Sequence, residues 1–98
     1  MGSRQQEWES RGLRPRELVR CIVTGHRGRF GIDVEIISPD IPERLAFIDL
    51  VLLAEPGEQI DPVDFPPVGS SIEAVTVDIM PDGELRLDAT PSAVRGCK

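Results

Sequence analysis

Between Phe30 and Ile36 an apolar residue falls at every second position. Phe30, Ile32, Val34 and Ile36 share one side, while Gly31, Asp33 and Glu35 share the other. A period of two is the signature of a half-buried strand, because successive side chains point to opposite faces of the pleat. A helix would scatter the same residues around its circumference. The segment predicts a strand over about Arg29 to Ile37. Similar short apolar runs occur at Leu18 to His26, Leu45 to Leu50, Ser71 to Ile79 and Glu84 to Ala89. No helical period is long enough to supply a second layer. Five short strands without a covering helix bury their apolar faces by closing on themselves, which also removes exposed sheet edges. The expectation is an all-β chain built as a small five-stranded barrel.

The breaks between the runs carry turn chemistry. Gly25 and Gly28 permit the tight link between strands one and two. Gly31, next to Phe30, fits a bend at a barrel corner. Pro39 and Pro42 cannot donate to a ladder, so Ser38 to Pro42 is a turn. Met80-Pro81-Asp82-Gly83 reads as a β-turn, with proline presetting φ. Residues 54–67 hold four prolines and the acids Glu55, Glu58, Asp61 and Asp64. This loop is long for so small a domain, and is either a functional loop or an acidic surface connector.

At 98 residues the chain is one domain with tails. The expected division is a basic, polar, flexible N-terminal arm at 1–17, the barrel at 18–90 and a short C-terminal tail at 91–98. Ser3 with Gln6 is a weak capping-box pattern, allowing a helical turn over Gln5 to Ser10. Trp8 is the residue able to tie that arm to the barrel. The net charge of −6 is unevenly spread. Residues 1–29 carry seven arginines against three glutamates, a net +4, whereas residues 30–98 carry four basic groups against fourteen acids, a net −10. An acidic body repels phosphate at long range and a basic arm attracts it. Cys21 alternates with Val19 and Val23 as a core residue, and the penultimate Cys97 is expected at the surface. These thiols form no disulfide framework, and no apolar run is long enough to span a membrane. A cytoplasmic monomer is the expectation.

The order and spacing of several elements resemble the S-one-type RNA-binding domain, the OB-fold repeat of ribosomal protein S-one. They are Phe30-Gly31, Phe47-Ile48-Asp49-Leu50, Val68-Gly69 before strand four, and the ending Asp82-Gly83-Glu84-Leu85-Arg86-Leu87. The resemblance covers about residues 18–90. It implies a five-stranded OB-fold barrel with a ligand face on strands two and three, and RNA or another single-stranded nucleic acid as partner. Relatives place stacking aromatics and phosphate-binding cations on that face. On this basis the nucleic-acid-binding residues are Arg27, Arg29, Phe30 and Arg86, with Arg14, Arg16 and Arg20 as support. Phe30 also shares the phase of Ile32, Val34 and Ile36, so a core position is its alternative.

The chain departs from the family pattern at three places. Asp33 stands where a second aromatic is usual, Asp49 where a histidine is common, and Glu84 where a basic residue follows the glycine. With Glu35 these carboxylates define a second reading, an acidic face that binds a basic protein partner, as an inhibitor or immunity-type protein does. Catalysis is not expected. His26 is the lone histidine, set in a glycine-flanked turn with no nucleophile motif. The two cysteines lack zinc-ligand spacing, so neither metal nor cofactor is implied. Asp33 and Asp49 could share a face as a carboxylate pair, although an acidic surface is the simpler reading.

Overall fold

The computed structural model describes residues 4–97. It contains a closed barrel of five strands: β1 (Leu18–His26), β2 (Gly31–Ser38), β3 (Leu45–Asp49), β4 (Ser71–Ile79) and β5 (Leu85–Asp88). Around the barrel the order is β1-β2-β3-β5-β4, with β1 also pairing to β4. All pairs are antiparallel except β3 with β5. This is the OB fold. Alternation fills the interior: Cys21 and Val23 from β1, Ile32, Val34 and Ile36 from β2, Ile48 from β3, and Leu85 and Leu87 from β5 are all buried.

Phe30 does not follow that pattern. The strand begins at Gly31, whose φ is +152°, and this bend takes Phe30 out of the phase of Ile32 and Val34. Phe30 sits in the β1–β2 turn, closed by its own N–H bonding to the carbonyl of Arg27, and is 67% exposed. The core alternative for Phe30 is therefore corrected.

The segment expected as a flexible arm begins with a helix, α1 (Arg4–Arg11). Its Trp8 is 5% exposed and, with the following Leu13, belongs to the hydrophobic core. Ser3 of the capping-box pattern lies outside the described residues. The connector after α1 is held by Thr76 of β4. The Arg16 N–H donates to the Thr76 carbonyl at 2.9 Å, and the Thr76 N–H donates to Glu17 at 2.9 Å. The buried Thr76 hydroxyl accepts from the Glu17 N–H at 2.8 Å and donates to the Arg14 carbonyl. This cover accounts for the full burial of the polar Thr76. The C-terminal residues form a second short helix, α2 (Pro91–Gly96), in contact with β4. Cys97 is half-buried and bonds through Sγ to the carbonyl of Arg16.

A 3-10 turn at Leu50–Leu52 follows β3 directly, and the long acidic loop contains a second, Pro62–Asp64, and contributes the buried Phe65 to the core. His26 packs edge-on to Phe65, with ring centroids 5.6 Å apart, and its Nε2 lies 2.8 Å from the carbonyl of Pro66. The histidine is exposed, as a turn residue should be, and also pins this loop to the end of β1.

Candidate nucleic-acid interface

Barrel closure aligns one row of outward-facing residues across four strands. Asp33 of β2 is the register partner of Phe47 on β3, Phe47 of Arg86 on β5, and Arg86 of Asp78 on β4. The neighbouring outward row pairs Gly31 with Asp49. The missing side chain at Gly31 is what admits the Phe47 ring, since a Cβ there would lie 2.8 Å from Phe47 Cζ.

Phe47 faces away from the barrel interior yet is only 3% exposed. Two arginines cover it. The Arg27 guanidinium lies 4.0 Å from the ring centroid and that of Arg86 lies 4.9 Å away. Guanidinium over an aromatic face is favourable because the ring quadrupole is negative there. Arg27 reaches the row from the β1–β2 turn and pairs with Asp33. Its Nη2 also lies 3.1 Å from Glu84 Oε2, while Arg86 Nε lies 2.8 Å from Glu84 Oε1. Glu84 thus offers one oxygen to each arginine. Its own N–H is fixed by donation to Asp82 Oδ1 at 2.9 Å, which orients the residue at the start of β5.

Electrostatics at Glu84 run in two directions. Partial burial favours the neutral acid, but hydrogen bonds and the charges of Arg27 and Arg86 outweigh it and hold the carboxyl below its usual value. Hydrogen bonding to Glu84 leads the causes that raise the Arg27 guanidinium, opposed by its own desolvation and reinforced by Asp33. Arg27, Asp33, Glu84 and Arg86 retain a quarter to nearly half of their side-chain exposure. Ion pairs this wet contribute only about 0.2–1 kcal/mol each, so an incoming charge can exchange with them.

The residues singled out in the sequence are therefore divided. Arg27 and Arg86 converge on Phe47. Arg29 and Phe30 stand exposed in the adjoining turn. Two of the four carboxylates of the acidic-face reading, Asp33 and Glu84, are bonded to those same arginines. Asp49 turns along the chain instead, with Oδ1 accepting from the Val51 N–H at 3.1 Å and capping the first 3-10 turn. Glu35 is half-exposed one row away, opposite the exposed Leu45. Phe47 is the site residue that sequence reasoning passed over. Ala46, Phe47 and Ile48 are all buried, so β3 shows no alternation to mark one of them as outward. Among the described residues no group of three or more His, Cys, Asp or Glu could hold a metal ion, and no helix is long and apolar enough to cross a membrane.

Searches against family models and curated proteins return no match. Solved structures do match. A chain of the a/eIF2alpha-aDim2p-rRNA complex from Pyrococcus horikoshii aligns over 85% of this chain and 49% of its own, at 19% identity and a TM-score of 0.66. The intact alpha subunit of aIF2 from Pyrococcus abyssi aligns over 80% of this chain and 29% of its own, at 19% identity and a TM-score of 0.65. An uncharacterised protein from Methanocaldococcus jannaschii aligns over 81% of this chain and 95% of its own, at 14% identity and a TM-score of 0.56. The chain spans about half the length of the first and under a third of the second. At these identities the likeness is one of fold.

Proposed function

We propose that the chain is a non-catalytic OB-fold module of the S-one type that binds single-stranded RNA, or a similar single-stranded nucleic acid, across β2, β3 and β5. The observation that carries this reading is the ring of Phe47 beneath Arg27 and Arg86, with Arg29 and Phe30 exposed beside it. Single-stranded nucleic acid is held by this combination of aromatic faces for bases and cations for phosphate. The fold shared with a chain of an rRNA-containing complex supports the same direction. Phe30 supplies the open stacking surface, while Arg27 and Arg86, seated on the Phe47 ring, supply cations for phosphate. A cytoplasmic monomer belongs to this reading.

The acidic body works against affinity, so binding is weak and salt-sensitive. Each phosphate neutralised on a single strand adds about 0.7 to the slope of log affinity against log salt. Three arginines engaged together give a slope of about −2. The test is a titration of isotope-labelled protein with a short mixed-sequence single-stranded RNA at low and at physiological salt, following backbone amides. Shifts over Arg27 to Phe30 and at Arg86 that weaken with salt are the expected result. An unchanged spectrum at low salt would overturn the RNA reading and turn the search to a basic protein partner.

A further inference from the structure

Glu84 holds two arginines from different elements with its two oxygens. Arg27 comes from the β1–β2 turn and Arg86 from β5, and they meet Oε2 and Oε1 at 3.1 and 2.8 Å. A phosphodiester presents the same arrangement, two anionic oxygens on one centre. We infer that Arg27 and Arg86 form a phosphate subsite that the chain fills with its own Glu84 carboxylate as an internal stand-in. This deepens the nucleic-acid reading and rests on it for the natural ligand, but the subsite is a property of the two arginines and can be measured without RNA.

Three observations support it. The arginines are pre-oriented against the Phe47 ring, so an arriving anion meets guanidinium groups already placed. Glu84 is held by its neighbours and by the Asp82 side chain rather than buried, so displacing it strands no charge away from water. Arg27 keeps a second carboxylate partner in Asp33, so it remains over the ring when Glu84 leaves. The charged groups around Glu84 are Arg27 and Asp33 from the turn and β2, Arg86 from β5, Asp78 in register with Arg86 on β4, and Asp82 in the β4–β5 turn. Arg11 of α1 reaches the same turn by donating to the Gly83 carbonyl. The subsite thus lies in a mixed field, and the carboxylate that competes for both arginines is Glu84.

The experiment compares the full chain with Glu84→Gln, which keeps size and one acceptor oxygen but removes the charge and the second acceptor. Sulfate serves as the probe, followed through the Nε–H signals of Arg27 and Arg86 and through backbone amides. Glu84→Gln should bind sulfate more tightly than the unaltered chain, by up to about tenfold as two exposed ion pairs cease to compete, with saturable shifts at both arginines. Adding Arg86→Met should abolish the gain. Glu84→Ala repeats the test without an amide in the site, and amide dispersion verifies that each variant is folded. No gain in folded Glu84→Gln and Glu84→Ala, or a gain that survives Arg86→Met, overturns the inference. The same variants titrated with the short RNA separate the two claims. A sulfate gain without any RNA binding upholds the subsite and removes the RNA reading. RNA binding with no sulfate gain leaves the RNA reading standing and removes the subsite.

Discussion

A methyl group on Gly31 would lie 2.1 Å from the carbonyl oxygen of Ile48 and 2.8 Å from Phe47 Cζ. The first atom is backbone in the adjacent strand and cannot move aside without disturbing the β2–β3 ladder. The backbone at Gly31 is also at φ +152°, where a side chain is strained by about 1–3 kcal/mol before any contact is counted. Gly31→Ala is therefore expected to cost at least about 3 kcal/mol in urea denaturation, a large share of the stability of a domain this size. A loss below about 1 kcal/mol would show that β3 can retreat and that the packing of Phe47 does not depend on this glycine. The same residue explains both the exposure of Phe30, thrown out of phase by the bend, and the placement of Phe47, which occupies the space the missing side chain leaves.

At the scale of elements, α1 is the addition that the barrel pattern does not foretell. Trp8 is the only tryptophan in the chain, so its fluorescence reports directly on whether this helix is docked. If α1 and the barrel form one cooperative unit, the tryptophan red shift and the loss of far-UV circular dichroism coincide along a urea titration. A fluorescence transition at lower urea than the dichroism transition would make α1 a separately melting appendage. Trp8→Ala is expected to lower stability by about 3–5 kcal/mol in the cooperative case, as for other large core truncations. The contrast between elements shows what sequence can carry. β1 and β4 run over Leu18–His26 and Ser71–Ile79, the spans their apolar runs mark out. β2 begins two residues late because periodicity cannot register a backbone bend at Gly31. The sequence marks α1 only as a helical turn over Gln5 to Ser10 with Trp8 as its tie, because one apolar residue among eight defines no face, and its order comes from a tertiary contact. α2 and the cover over Thr76 are hidden for the same reason. In the candidate site, Arg27 and Arg86 were visible as charges. Their convergence on Phe47 was not, because it depends on the β3–β5 pairing between segments nearly forty residues apart.

For the whole molecule, composition makes one core residue legible in bulk stability. Cys21 is fully buried in β1, and burial pushes its thiol from 9.0 up to about 12. A folded-state value above the unfolded one means that the folded chain keeps a proton the unfolded chain gives up. The stabilisation is therefore complete below pH 9 and is lost as pH rises toward 12. The gap corresponds to about 4 kcal/mol over the full span, at most about 1.4 kcal/mol per pH unit. In most proteins tyrosines and lysines titrate in the same range and obscure such an effect. This chain has no tyrosine, and ten of its eleven basic residues are arginine, leaving Lys98 as the single lysine. Cys21→Val removes the titrating group while keeping an apolar side chain in the core. Urea midpoints at pH 8 and pH 10.5 should fall clearly for the unaltered chain, and much less for Cys21→Val. Equal losses in both would place the alkaline weakness elsewhere and show that the barrel opens enough to solvate Cys21 before it unfolds.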